Sequence, residues 1–156
     1  IAAHIYLALQ EITAREITAK SPAVVTVGKF FGGHAPNIIP QEVVIEGTIR
    51  TFNRDLSAQI LRRLDEISRA TAQAFRGSAI VEELASAPPL HNDCKLVDQM
   101  TDYVKELFGE QSVYLMEEGA GSEDFASYTY ELPCAYLMLG AGTPDETPSL
   151  WQANAQ

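Results

Sequence analysis

Apolar residues recur at Ile1, Ile5, Leu9 and Ile12, the spacing of a single helical stripe. Ser21-Pro22 ends that segment. Val24-Val25-Thr26-Val27-Gly28-Lys29-Phe30-Phe31 is β-branched and aromatic and predicts a strand. Gly32 to Pro40 is a turn-rich loop. From Glu42 to Phe52 the period is two: Val43, Ile45, Gly47 and Ile49 face one side, Val44, Glu46, Thr48 and Arg50 the other. Asn53 is placed to cap a helix that carries Leu56, Ile60, Leu64, Ile67, Thr71 and Ala74 on one face and stops at Gly77. Ser78 to Leu84 reads as a shorter strand. The order is helix, strand, strand, helix, strand. One further strand ahead of Ile1, suggested by the abrupt helical start, completes the ferredoxin-like plan, an antiparallel sheet with two helices on one face.

The pattern changes after residue 85. Asn92 or Asp93 caps a helix with a stripe of Leu96, Val97, Met100, Val104 and Leu107, closed by Gly109. Val113 to Met116 is a candidate strand, and Gly119 to Phe125 a glycine-punctuated loop. Cys134 to Leu139 is a continuous apolar run, the pattern of a strand covered on both faces in an α/β sheet. The expected class is therefore α+β: a ferredoxin-like unit, then a partial α/β segment.

Charge supports the same division. The net charge is −10. Residues 1–85 hold nine basic and nine acidic side chains, and residues 86–156 two basic and twelve acidic, so the second part supplies the whole excess. Pro88-Pro89 lies at the junction. An acidic chain without clustered Lys and Arg argues against nucleic-acid binding. No apolar run reaches the roughly 20 residues of a membrane span, and no signal peptide is visible. Cys94 and Cys134 form no metal or redox motif, which fits a cytoplasmic origin. The opening on Ile1, inside a helical pattern, reads as part of a longer protein.

Asn37 and Arg50 stand out as candidate chemistry. An amide that donates and accepts, near a guanidinium fork, suits a ligand carrying a carbonyl and a carboxylate. The plain alternatives are a turn residue before Ile38-Ile39-Pro40 and an exposed strand arginine. His34, His4 and His91 have no partner at ligand spacing, so no metal ligand is assigned. Glu123 and Asp124 are adjacent and point apart on either regular backbone, so they form no paired-carboxylate site by themselves. Ser122 could cap a short helix there.

Several stretches together carry a family resemblance. They are Ala23-Val24-Val25-Thr26-Val27-Gly28, Gly32-Gly33 with Asn37-Ile38-Ile39-Pro40, and Glu46-Gly47-Thr48-Ile49-Arg50-Thr51-Phe52. Further along come Pro88-Pro89-Leu90 with Asn92-Asp93, Gly121-Ser122-Glu123-Asp124-Phe125-Ala126, and Leu139-Gly140-Ala141-Gly142. In this order they resemble the M20 metallopeptidases, most closely the amidohydrolase branch acting on N-acyl amino acids, hippurate and indole-acetyl amino acids.

The resemblance implies that 1–85 is most of a lid or dimerisation domain lacking its first strand, and 86–156 the C-terminal part of the catalytic domain. It implies a parent enzyme that uses a divalent metal (Zn, Mn, Ni or Co) to activate water against the amide bond of an N-acyl amino acid. Asn37 would bind the carbonyl or oxyanion and Arg50 the substrate carboxylate, while Ser122, Glu123 and Asp124 would border the cleft. A homodimer through the lid is implied as well. The family's upstream ligands would precede Ile1. Thr147-Pro148-Ser149-Leu150-Trp151-Gln152 occupies the region of the expected last histidine without one. The chain alone is therefore expected to hold no catalytic metal and to be inactive. The competing reading is a non-catalytic ferredoxin-like module for dimerisation or ligand binding.

Overall fold

A computed structural model describes residues 1–114, 119 and 121–140. The class is α+β: a two-stranded antiparallel sheet with helices packed against it. Helix α1 runs Ala2–Glu11 and continues into one wide π-helical turn, Ile12–Glu16. Strand β1 (Ala23–Phe31) pairs with β2 (Val44–Thr51), Ala23 opposite Thr51 and Phe31 opposite Val44. Helix α2 is Arg54–Ala74 and α3 is Cys94–Phe108. A short 3-10 helix, Asp124–Tyr130, follows.

The core lies among α1, α2 and one face of the hairpin. Ile5, Leu9, Ile12, Ile60 and Ala72 are buried, with Val25, Ile45, Ile49, Leu56, Leu64 and Ile67 packed around them. Ile45 and Ile49 thus take the face that the alternation assigns them. On α2 the buried stripe drifts to Ser68 and Ala72 in the last turns, away from Ala74, because 3.6 residues per turn does not keep a fixed step. Glu16 ties the π turn to α2: Arg63 donates from Nε and Nη2 to its two carboxylate oxygens at 2.6 and 2.7 Å. Those bonds hold the Glu16 carboxyl below the usual glutamate range, against a smaller opposing effect of burial.

Sequence signals set the helix ends. Asn53 Oδ1 accepts from Leu56 N–H at 3.0 Å, and Asp93 Oδ1 from Leu96 N–H at 2.9 Å, so Asp93 rather than Asn92 caps α3. The end of α2 differs from expectation. Gly77 N–H donates to Ala72 C=O and Arg76 N–H to Gln73 C=O, a Schellman closure. The left-handed residue is therefore Arg76, at φ 60°, and Gly77 lies one step beyond it. An L side chain there is strained, so Arg76→Gly should stabilise the chain by about 1 kcal/mol. Chemical denaturation of the two proteins checks this, and an unchanged midpoint would count against the closure.

Two expected strands do not form. Ser78–Leu84 and Cys134–Leu139 lie outside any ladder. A strand exists only through neighbours that take up its N–H and C=O groups, and among the described residues only β1 and β2 pair. Several of their apolar side chains are accordingly uncovered: Ile80 is 77% exposed, Leu84 84% and Leu139 94%. The stripe on α3 is half-buried at best, and Leu107 and Phe108 face solvent. The candidate strand at Val113 to Met116 and the tail from Ala141 lie partly or wholly outside the described residues.

Candidate functional site

The loop after β1 begins with Gly33 in the left-handed region, at φ 85°. Ile38 N–H donates to Ala35 C=O at 3.3 Å, closing a turn with Pro36 and Asn37 at its centre. Proline's fixed φ suits the first central position, and Asn tolerates the second. Asn37 is thus an exposed turn residue. Arg50 is the penultimate residue of β2, opposite Val24, and is exposed.

Residues 121–140 are organised by a clasp that the sequence reading did not single out. Asn92 Oδ1 accepts from Tyr136 N–H at 2.7 Å, and Asn92 Nδ2 donates to Tyr136 C=O at 3.3 Å. The Asn92 amide therefore meets both backbone groups of one residue, as a neighbouring strand would. The Tyr136 hydroxyl donates to Glu123 Oε2 at 2.9 Å. The bond to Glu123, then burial, then the Glu123 charge push the Tyr136 phenol above its usual range. Glu123 Oε1 accepts from Phe125 N–H at 3.3 Å. Glu123, not Ser122, therefore caps the 3-10 helix. Its longer side chain folds back to the second amide after it while also holding Tyr136. The available signal was Asn92 beside the Asp93 cap and a tyrosine inside the apolar run.

An open cleft of about 3860 Å³ separates β2 from residues 78–84 and from the 121–140 segment. Its lining includes Arg50, Asn92, Ser122, Glu123 and Tyr136. Arg50 thus shares a cleft with two of the three residues expected at its border. Asn37 and Asp124 are not among the lining residues, although Ile39 and Pro40 of the Asn37 loop are. Small-ligand pockets measure roughly 300–1,000 Å³. This cleft is several times larger and edged by uncovered apolar residues, so it is a broad open space between segments rather than a closed small-ligand pocket. His4 stacks on Phe75 with ring centroids 4.5 Å apart, a packing role. His34 lies exposed in the loop.

Among the described residues, no three His, Cys, Asp or Glu side chains form a group that could hold a metal ion. The loop segment Gly119 to Ser122 includes Ala120, and the region of the expected last histidine is 147–152; both fall outside the described residues wholly or in part. No described helix is long and apolar enough to cross a membrane.

Comparison with known proteins places these features in a family. Residues 16–151 match the peptidase family M20/M25/M40, and the chain belongs to it. It is 35% identical to a hydrolase named y4tI of Sinorhizobium fredii over 144 residues, which cover 92% of this chain and 36% of that protein. It is 32% identical to the N-acetyl-L-cysteine deacetylase of Bacillus subtilis, covering 89% of this chain and 33% of that one. Among solved structures, the YXEP protein of Bacillus subtilis, described as a dinuclear metal-binding M20 peptidase, superposes with a TM-score of 0.66 at 26% identity. That match covers 85% of this chain and 33% of the other. The chain spans about a third of the length of the relatives it matches.

Proposed function

We propose that the chain is part of a metal-dependent amidohydrolase that cleaves the amide bond of N-acyl amino acids. Residues 1–85 form most of its lid, without the first strand, and residues 86–156 a returning part of its catalytic domain. The observation that carries this reading is the family match over residues 16–151, and Arg50, Ser122 and Glu123 bordering one broad cleft is consistent with it. Its family membership and a deacetylase among its relatives support the reaction class.

In this reading the Arg50 guanidinium grips the substrate carboxylate with two parallel N–H donors. That contact fixes which end of the substrate enters first and sets the acyl carbonyl at a constant distance from the β2 terminus. The Asn37 amide donates to the carbonyl oxygen as negative charge develops there, once its loop swings Ile39 and Pro40 aside or a neighbouring subunit presents it. Glu123 has both carboxylate oxygens engaged, so its part is to shape the cleft wall and hold Tyr136 in place. A divalent metal, Zn, Mn, Ni or Co, would supply the activated water. The location is cytoplasmic.

A second reading, a dimerisation module, is favoured by one observation: the outer edge of β1 has no partner strand among the described residues, and Val24, Phe30 and Phe31 on it are half exposed. The two are compatible, since a lid can pair through its sheet edge. Kinetics of the full-length parent on an N-acetyl amino acid and on its carboxamide, with Arg50 intact and replaced, test the first reading. Its failure would leave the second standing.

A further inference from the structure

Tyr130 stands where three parts of the chain meet. Its hydroxyl donates to Pro89 C=O at 2.9 Å. The Arg54 guanidinium lies over its ring, 5.2 Å from the centroid. Arg54 is the first residue of α2, directly after the Asn53 cap and four residues after Arg50.

The backbone on either side of this contact belongs to two different bodies. From Pro89 onward the chain is bound to residues 129–136. His91 N–H donates to Thr129 Oγ1 at 3.3 Å, Asp93 N–H to Cys134 C=O at 2.8 Å, and Asn92 clasps Tyr136. Helix α2 is anchored the other way, through buried Ile60 and Ala72 and through the Arg63 bonds to Glu16. The contact of Arg54 with Tyr130 therefore spans from the α1–α2–hairpin body to the 89–136 body. It does so four residues along the chain from Arg50, just past the end of β2.

We propose that Arg54 and Tyr130 are positioning residues that form a latch between the two bodies, setting the angle at which the Arg50 end of β2 faces the wall holding Ser122 and Glu123. This rests on the reading of 1–85 as a lid. Each side chain has a distinct task. The Tyr130 hydroxyl pins its ring to the stretch entering the second body, and the ring face then receives the Arg54 cation. Bending is left to the residues just before Pro89, which carry none of these bonds in the 89–136 set. A partly solvated cation–ring contact shifts a two-state orientation by about 2- to 5-fold. The latch therefore biases the angle without locking it, as a lid that must open requires.

Pulsed electron paramagnetic resonance on the whole 156-residue chain tests this without any activity readout. Spin labels go on native Cys94, exposed at the start of α3, and on a cysteine replacing exposed Ala70 of α2, with Cys134→Ser in the background. With Arg54 and Tyr130 intact, one distance population should dominate. Arg54→Ala and Tyr130→Leu should each move about 2- to 5-fold of the population ratio out of it, and the double substitution no further than either alone. Tyr130→Phe keeps the ring face and should stay nearer the reference than Tyr130→Leu, and Arg54→Lys should fall between the reference and Arg54→Ala. Both side chains are exposed, so the variants should melt at the reference temperature by circular dichroism. A distribution unchanged by Arg54→Ala overturns the latch. So does a Tyr130→Phe distribution matching Tyr130→Leu, which would assign the restraint to the Pro89 bond alone. A positive result here with no amidase activity in the parent would sink only the functional reading.

Discussion

Arg50→Ala in the full-length parent should lower kcat/KM for an N-acetyl amino acid by about two orders of magnitude, with most of the loss in KM. Two charge-assisted hydrogen bonds to a carboxylate contribute about 3 kcal/mol together, which corresponds to roughly 150-fold. The carboxamide of the same substrate offers no negative charge to the fork. On it, the substitution should cost less than about 5-fold, because only neutral hydrogen bonds are lost. Arg50→Lys should recover part of the loss, since a point charge replaces a planar fork. The carboxylate-to-carboxamide ratio therefore isolates the role of Arg50 from any general damage to the lid. Equal losses on both substrates would mean that Arg50 supports the fold of β2 rather than the substrate.

Gly47→Ala should destabilise the chain more than any other small substitution in the hairpin. Gly47 lies opposite Val27, and a Cβ built on it falls 2.2 Å from the Thr26 carbonyl oxygen. That neighbour is backbone, so no rotamer change relieves the clash, and the two strands must separate or slip. A slip of one residue would turn Ile45 and Ile49 out of the core. The expected cost is about 3 kcal/mol or more, the range of backbone strain combined with lost packing. Gly28 provides the control. It sits at the irregularity between Val27 and Lys29, and a Cβ there meets nothing within 4 Å. Gly28→Ala should leave the denaturation midpoint nearly unchanged or raise it slightly. Similar effects from both substitutions would contradict the close approach at Gly47.

The parts of this structure legible in the sequence are those decided locally. The α2 stripe, the Asn53 and Asp93 caps and the alternation from Val43 to Arg50 all follow from neighbours within a few residues. Ser78–Leu84 and Cys134–Leu139 have strand composition, but a strand also needs a ladder partner, and composition says nothing about whether one is present. The strained Arg76 closure was hidden because Gly77 beside it satisfies the usual rule for a helix end. At the candidate site, the place of Arg50 on the exposed face of β2 was legible from the period of two. The roles of Asn92 and Tyr136 were not, because a side-chain amide bonding to backbone 44 residues away has no periodic signature. The pairing of Glu123 with Tyr136 is hidden for the same reason. It also explains why Glu123 and Asp124, adjacent in sequence, part company in the structure: one is held in the clasp and lines the cleft, and the other is exposed on the 3-10 helix.

The most direct measurement is amine release from N-acetyl amino acids by the full-length parent, assayed after chelation and again after adding Zn, Mn, Ni or Co singly. The account predicts no release after chelation and restored release with at least one of these ions. No hydrolysis of any N-acyl amino acid with any of the four would contradict it.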